Sequence, residues 1–373
     1  MSSDMLALPK VLLMGLRKSG KSSIQKVVFE GMQPHDSATL ATTVQPEKST
    51  VHSNDFVNFE VWDFPGQNDP FDPNNASRYD VNQLLENCGA IVYVLDCREL
   101  IEDARARLLD TISAAYRYNP ELCIEVFIHK VDALSEDHQA DLLASLQRRV
   151  EEEAKQLLEN VHPLRLNFNL TSIYDHSVFQ AFSLVVQKLI KSKTPYITEL
   201  LQMLNSNSNI DLSYLFLSHS KIYVAVDERN RLKSRTYDLC SDAIEVVVKM
   251  SRIYARRRDT AASTGAARER EREVLADVAQ AHTKGAAYGA GGAAPRSSGA
   301  VAPVSAEVSE LYRGANAVIQ LSNEDCIYVR ELPSSLTLVL MMKQTDLENR
   351  ALIDRNVDIF YTAAFDIFNT SAA

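Results

Sequence analysis

The sequence contains few cysteines, and no two of them form a CxxC pair. The five are Cys88, Cys97, Cys123, Cys240 and Cys326. An odd and dispersed set is typical of reduced thiols in a cytosolic protein. We therefore expect a cytoplasmic protein with neither a disulfide framework nor a cysteine-based zinc site.

Long apolar runs are also absent, since no segment approaches the roughly 18 consecutive apolar residues that span a membrane. The first residues, MSSDMLALPK, lack the basic region and apolar core of a secretory signal. Ser2 and the final TSAA match no myristoylation or prenylation motif. We therefore expect no direct membrane insertion, so that residence on a membrane would depend on a partner.

The chain has no excess of positive charge. Lys and Arg number 39 against 49 Asp and Glu, which gives a net charge of −10. Such a chain has no overall positive field to attract nucleic acid or anionic lipid. We expect no nucleic-acid partner, and any bound anion must be held by a local site.

Glycine is scarce, and its distribution is uneven. Of 12 glycines in 373 residues, six fall in residues 256–305, which also hold 14 alanines and one aromatic residue. Such a segment buries too little apolar surface to offset the entropy lost on ordering. Because this length predicts about two domains, we interpret 256–305 as a disordered insertion in the second.

Residues 10–193 alternate strand-like apolar runs with helical patterns. The strand-like runs are KVLLMG, VNFEVWDF, AIVYVLD, EVFIHK and LRLNFNLTS. Between them, residues 101–118 and 136–158 show apolar positions at helical spacing. The alternation predicts a mostly parallel, doubly wound α/β sheet, and the Asn-Asp turn signal in TVHSNDFVNFEVW predicts one antiparallel hairpin. We assign 10–193 to a first domain and 1–9 to an N-terminal tail.

The pattern changes after a break at residues 191–195. A helix (TELLQML), two strands (YLFLS and KIYVAV) and a long helix over 237–254 come next. After the insertion, the sequence continues with the strands AVIQL, CIYVREL and LTLVLMM and a closing helix from Leu347. This α-β-β-α-β-β-β-α order predicts a second α/β domain over 194–373.

The segment GLRKSGKS, residues 15–22, fits the phosphate-loop pattern GxxxxGK[ST] and lies between a predicted strand and a helix. Its backbone N–H groups can turn toward phosphate oxygens, Lys21 can reach the β- and γ-phosphates, and the Ser22 hydroxyl can ligate Mg²⁺. The candidate nucleotide contacts in and after this loop are Arg17, Lys18, Ser19, Gly20, Lys21, Ser22 and Ser23.

A second motif, WDFPGQ, ends the predicted third strand. Asp63 would reach Mg²⁺ through water, and the Gly66 N–H can hydrogen-bond a γ-phosphate. Gln67 follows at the place from which a side-chain amide orients the attacking water. We therefore predict Gln67 as the catalytic residue and Asp63 as a metal contact.

Two further motifs point to a guanine base. In HKVD, Asp132 can accept the N1–H and 2-amino group that adenine does not offer together, while the Lys130 stem covers the ring face. His129 stands where most GTPases have Asn, and its alternative role is a strand-end histidine bonded to nearby backbone. In the later TSI segment, Ser172 and Ile173 are expected to present a backbone N–H to guanine O6.

The order and spacing of these motifs resemble a small GTPase, and the variants WDFPGQ, HKVD and TSIYDHS resemble the Rag GTPase family, RagC/RagD type. The resemblance runs from LLMGLRKSGKSSIQKVVF to SKIYVAVD and the helix after it; Leu184 departs from a lysine of the pattern, and 256–305 lies outside it. It implies a Ras-like G domain followed by a roadblock (longin-like) domain. It also implies a heterodimer with a RagA- or RagB-like GTPase, a GTPase-activating protein, and amino-acid signalling to TORC1 on a lysosomal or vacuolar scaffold complex.

The resemblance also assigns a switch threonine that coordinates Mg²⁺. In the segment TLATTVQPEK it corresponds to Thr43, with Thr42 as the alternative. The cofactors implied are GTP or GDP and Mg²⁺.

A chain with a phosphate loop can serve three functions: a GTP-hydrolysing switch, a P-loop kinase or ATPase, and a nucleotide-locked scaffold with little hydrolysis. Asp132 and the DxxGQ motif argue against the kinase. Gln67 favours hydrolysis, whereas Arg17 and Lys18 stand where Ras-like proteins often have glycine and would crowd an arginine finger. We expect a switch with slow intrinsic turnover.

The helix over 237–254 carries more apolar residues than one face needs. The stripe comprises Leu239, Ala243, Val246, Val247 and Met250, widened by Ile244 and Val248. An amphipathic helix that packs only on its own sheet needs a single apolar face. We therefore expect this helix to take part in dimerisation, with burial in the domain core as the alternative.

Overall fold

The computed structural model describes residues 8–52, 57–66, 70–71, 80–98, 101–158, 165–218, 220–228, 236–255, 316–333 and 335–369. Gln67, the predicted insertion 256–305 and most of the predicted N-terminal tail lie outside these residues.

The first sheet has six strands and carries the motifs. The strands are β1 (Lys10–Met14), β2 (Glu47–His52), β3 (Asn58–Asp63), β4 (Cys88–Asp96), β5 (Cys123–His129) and β6 (Leu166–Thr171). Their order is β2-β3-β1-β4-β5-β6, and β2 runs antiparallel to β3 while the other pairs are parallel. This confirms the predicted mostly parallel α/β sheet with one antiparallel hairpin.

Five helices accompany this sheet: α1 (Lys21–Phe29), α2 (Val81–Leu85), α3 (Ile101–Tyr118), α4 (Glu136–Leu157) and α5 (Ser177–Leu189). Along β1, Val11 and Leu13 pack with α1 and α5, whereas Leu12 and Met14 pack with α3 and α4. Both faces of the sheet are therefore covered, which explains why β1 and β4 are largely apolar. Helices α3 and α4 lie where the periodicity predicts them.

The second sheet is antiparallel and has five strands. They are β7 (Leu212–Leu217), β8 (Tyr223–Glu228), β9 (Asn316–Gln320), β10 (Asp325–Leu332) and β11 (Leu336–Lys343), in the order β8-β7-β11-β10-β9. Helices α6 (Thr194–Ser208) and α8 (Arg350–Asn369) cover one face, and α7 (Thr236–Ala255) covers the other. The predicted element order is confirmed, although the closing helix begins at Arg350, after a 3₁₀ turn over Asp346–Asn349.

Helix α7 has two apolar faces, but they divide differently from the predicted stripe. Ala243 and Val247, together with Ile244 and Val248, are buried against the second sheet. The remaining stripe residues, Leu239, Val246 and Met250, are 44%, 53% and 51% exposed. Burial in the domain core thus accounts for the face with Ala243 and Val247. The face with Leu239, Val246 and Met250 stays exposed in the described part of the chain.

Candidate nucleotide site

The predicted motifs meet at one edge of the first sheet. The loops that follow β1, β3, β5 and β6 carry them, and these strands run parallel. In an open α/β sheet, ligands bind in the crevice outside the carboxyl ends of the strands. The four predicted motifs therefore lie at the edge of the sheet where a ligand is expected to bind.

The phosphate loop has a backbone that requires glycine at both Gly15 and Gly20. Gly20 precedes α1 with φ +107°, and a Cβ there would lie 2.6 Å from Cδ2 of His129. Lys18 holds φ +64°, a left-handed conformation that costs a lysine about 1 kcal/mol. The Lys21 ammonium lies inside the loop and donates to the carbonyls of Gly15 and Leu16, both at 2.8 Å.

Three predicted metal contacts converge beside this loop. The Ser22 hydroxyl donates to Oδ2 of Asp63 and lies 2.8 Å from the Thr43 hydroxyl. Thr43 also donates to Oδ2 of Asp63 at 3.3 Å. Thr42 points elsewhere, since its hydroxyl accepts from Nη2 of Arg17 at 3.2 Å. Of the two candidate switch threonines, Thr43 is therefore the one that lies with Ser22 and Asp63.

This cluster suits a hard cation. Asp63 is fully buried, and its Oδ1 has no hydrogen-bond partner within the described residues. Burial raises the pKa of this carboxyl, against the opposing effects of the Ser22 hydrogen bond and the Lys21 charge. A cation beside the carboxylate would favour its charged form. Mg²⁺ usually takes one or two carboxylates plus substrate phosphates.

Lys130 links three parts of the site. Its ammonium donates to the carbonyl of Lys18 at 2.6 Å and pairs with Oδ2 of Asp96, at the end of β4. Burial raises the pKa of Asp96, but hydrogen bonds from Arg98 and Lys130 outweigh it and hold the pKa below its usual value. Lys130 therefore holds the backbone of the phosphate loop. It belongs to the same HKVD motif as Asp132.

His129 is buried and makes no contact typical of a charged group. The Thr171 hydroxyl donates to the carbonyl of Ile128 at 3.4 Å, and its oxygen lies 3.1 Å from Nδ1 of His129. Burial, followed by the charge of Lys130, lowers the pKa of His129 to about 4. The imidazole is thus neutral at physiological pH and packs between the phosphate loop and β6.

The two motifs predicted to bind guanine, HKVD and TSI, are joined by a short hydrogen bond. The Ser172 hydroxyl donates to Oδ1 of Asp132 at 2.6 Å and accepts from the Tyr174 N–H at 3.1 Å. The Ser172 N–H donates to the hydroxyl of Ser177, the first residue of α5, at 2.8 Å. Asp132 is exposed, so that its second carboxylate oxygen remains open to a ligand.

Gly66 lies directly against the phosphate loop. A Cβ at this position would lie 2.1 Å from the backbone nitrogen of Arg17. A side chain does not fit there without moving the loop, so the WDFPGQ turn needs glycine. Gln67, the next residue, lies outside the described part of the chain.

The structure thus brings together most of the predicted site residues. Ser23 lies in the first turn of α1, and buried Ser19 keeps a hydroxyl without a hydrogen-bond partner in the described ranges. Ile173 is buried in the core that includes α5. Sequence reasoning missed Asp96 and Arg98, although an aspartate closing the buried strand AIVYVLD beside the motif strands was a usable signal.

Comparison with known proteins finds relatives that match most of the chain. Residues 10–244 match the Gtr1/RagA G protein conserved region. Ras-related GTP-binding protein C of Homo sapiens is 38% identical over 361 residues, which cover 96% of this chain and 77% of that protein. GTP-binding protein gtr2 of Schizosaccharomyces pombe is 36% identical over 361 residues, covering 96% and 98%. GTP-binding protein gtr1 of the same organism is 33% identical over 184 residues, only 48% of this chain and 56% of that protein.

Proposed function

The chain belongs to the Gtr1/RagA G protein family, in the type of Ras-related GTP-binding proteins C and D and Gtr2, and from this premise we propose how its GTP-binding switch works. It binds GTP and GDP with Mg²⁺, hydrolyses GTP slowly alone and faster with a GTPase-activating protein. Residues 10–193 form the nucleotide domain, and 194–373 form a roadblock-like dimerisation domain.

The observation that carries the nucleotide assignment is the convergence of Ser22, Thr43 and Asp63 beside the phosphate loop. A hydroxyl from the phosphate loop, one from the switch segment and a carboxylate from the end of β3 are the donor set of a P-loop NTPase. Mg²⁺, when bound, would neutralise charge on the β- and γ-phosphate oxygens.

The neighbouring residues have separate roles. Lys21 brings its ammonium to the phosphates, and the Gly66 N–H, held against the loop, hydrogen-bonds the γ-phosphate. Asp132 accepts both guanine donors, and the Ser172 hydroxyl holds one of its oxygens in place. Gln67 orients the water that attacks the γ-phosphate.

The competing function is a nucleotide-locked scaffold subunit with little hydrolysis. Arg17 is the residue that favours the scaffold function. Its guanidinium donates to Thr42 beside the phosphate loop, where the arginine finger of an activating protein would need room. Single-turnover hydrolysis of bound GTP, measured with and without the activating protein, separates the two functions.

We expect Gln67→Leu to retain GTP and GDP affinity and to slow stimulated hydrolysis by about 10³-fold or more, since losing the water-orienting amide acts on the chemical step. Gln83→Leu, on the exposed surface of α2, is the matched control and should hydrolyse at the native rate. Stimulated rates that are the same in native protein and Gln67→Leu would overturn the catalytic role of Gln67, whereas native protein that the activating protein fails to stimulate would support the scaffold function.

The pairing and signalling proposals depend on the family and on α7. The exposed face of α7 is where a RagA- or RagB-like partner would pack. The heterodimer would relay amino-acid sufficiency to TORC1, peripherally on the lysosomal or vacuolar membrane through a scaffold complex. No helix in the described ranges is long and apolar enough to cross a membrane.

A further inference from the structure

Arg17 connects the two loops that must move when nucleotide is exchanged. Its Nη2 donates to the Thr42 hydroxyl at 3.2 Å, across 25 positions of sequence. Thr42 precedes Thr43, whose hydroxyl lies 2.8 Å from that of Ser22. Adjacent residues thus face opposite ways, with Thr43 on the metal cluster and Thr42 on the arginine.

The backbone on which Arg17 stands is fixed from two sides. The next residue, Lys18, has its carbonyl held by the Lys130 ammonium at 2.6 Å. On the other side, Gly66 packs against the Arg17 backbone. A Cβ at Gly66 would lie only 2.1 Å from the backbone nitrogen of Arg17. A side chain that leaves such a constrained backbone reaches a limited set of acceptors, and Thr42 is one of them.

The guanidinium is not used in an ion pair that would explain its presence. Within the described residues no carboxylate lies within salt-bridge distance of Arg17, although Lys26, Lys48, Arg98 and Lys130 each have one. The side chain is exposed, and its hydrogen bond to Thr42 lies at the mouth of the phosphate site.

We propose that Arg17 is a positioning residue that latches the switch segment to the phosphate loop, so that Thr43 stays over Ser22 and Asp63. This inference rests on the proposed GTP switch. The latch and the contacts of Thr43 with Ser22 and Asp63 occur together in the structure. The latch therefore slows the release of GTP, whose γ-phosphate requires that arrangement, and has little effect on GDP. Arg17 thereby sets the lifetime of the GTP state.

The test is a double-mutant cycle on the full chain, in whatever complex it purifies, with dissociation of fluorescently labelled GTP and GDP measured in separate experiments. Arg17→Ala and Thr42→Val should each speed GTP release about three- to tenfold, the effect of losing one ordinary hydrogen bond, since this one is exposed to solvent. GDP release should change less than about twofold. The double variant should be no faster than the faster single variant.

Conservative variants and one control complete the design. Thr42→Ser keeps the acceptor and should behave as native, and Lys26→Gln removes a positive charge from α1 away from Thr42 and should also be native. Hydrogen exchange of residues 40–46 in the GTP complex should be faster in Arg17→Ala than in native protein. A native thermal-unfolding midpoint without added nucleotide shows that each variant is folded, and if Arg17→Ala does not fold, the comparison of Thr42→Val with Thr42→Ser decides.

The proposal is overturned if GTP and GDP release change equally, if the two substitutions are additive, or if neither changes GTP release. Failure of the proposed GTP switch has a different signature, namely native protein that binds ATP as well as GTP or binds neither.

Discussion

Asp132 is the residue on which the choice of base depends. One of its carboxylate oxygens accepts from Ser172 at 2.6 Å, which orients the group before any ligand arrives. The other oxygen is free to face the base. An amide in place of the carboxylate presents a donor to the guanine donors, and leaving buried donors unpaired costs more than one ordinary hydrogen bond contributes.

We therefore expect Asp132→Asn to weaken GTP and GDP binding by about 2 to 5 kcal/mol and to admit xanthine nucleotides, whose 2-oxo group accepts from an amide. Titration of labelled nucleotides measures this directly. Asp137→Asn, in the first turn of α4, is the matched control and should bind as native. Equal native affinities for ATP and GTP would contradict the assignment.

His129 illustrates a residue whose role sequence reasoning leaves open. The structure shows a buried histidine at the end of β5 whose Nδ1 lies 3.1 Å from the Thr171 hydroxyl, while its contact with the nucleotide stays a prediction. Its ring occupies the space beside Gly20. Because its pKa is about 4, it acts as a neutral packing and hydrogen-bonding group at physiological pH.

At the scale of elements, α7 has the least explained surface. Leu239, Val246 and Met250 are spaced by seven and four residues, so they lie along one stripe of the helix. Each is about half exposed, while the opposite stripe is buried on the second sheet. Such a stripe is typical of a helix that packs against another chain.

We expect Val246→Glu to abolish heterodimer formation and leave the chain folded, because Val246 is 53% exposed and its replacement buries no charge within the chain. Sedimentation with the RagA-like partner measures association, and thermal unfolding measures stability. Leu157→Glu on α4, where the leucine is 58% exposed, is the matched control. Native association of Val246→Glu would place the interface elsewhere.

The elements could be predicted where the pattern is local. A continuous apolar run predicts the strand Cys88–Asp96, and apolar positions at helical spacing predict the helix Ile101–Tyr118. Helix α2, with five residues, is too short to show a period, and α5 is apolar on too many sides to be singled out from the strands around it.

The site was predictable only as far as its motifs reach. Ser22, Asp63 and Asp132 each belong to a contiguous motif, whereas the contact of Lys130 with Lys18 joins residues 112 positions apart. The contact of Arg17 with Thr42 likewise depends on how two loops meet. Such pairings follow from the packing of the sheet, and no local pattern encodes them.

At the scale of the whole molecule, the two sheets share one continuous core. Its members include Phe127 and Phe182 beside the first sheet and Leu215 and Leu338 in the second. Helix α5 lies at the junction. Its Ser183 is fully buried, donates to the carbonyl of Phe179 at 2.8 Å and accepts from the N–H of Tyr223 in β8 at 3.0 Å.

The nucleotide loop and α7 meet near the start of α5. His176 lies 3.3 Å from the Ser241 hydroxyl and 3.2 Å from a carboxylate oxygen of Asp242, measured from its two ring nitrogens. Both partners belong to α7, while Ser177, the next residue, holds the backbone of the base loop through Ser172. A short path of hydrogen bonds therefore joins the base site to the second sheet.

From this continuity we expect ligand binding at the first sheet to stabilise the second. GDP at about a hundredfold excess over its dissociation constant should stabilise the folded state by about 3 kcal/mol and slow amide exchange in β8 as well as in β1. Ser183→Ala removes the hydrogen bond from the Tyr223 N–H to the Ser183 hydroxyl and should reduce the protection that GDP gives to β8. Ser145→Ala, which also removes a hydroxyl bonded to a carbonyl of its own helix, but in α4, should leave that protection unchanged. If GDP slows exchange in β1 alone, the two sheets unfold independently and the shared core does not couple them.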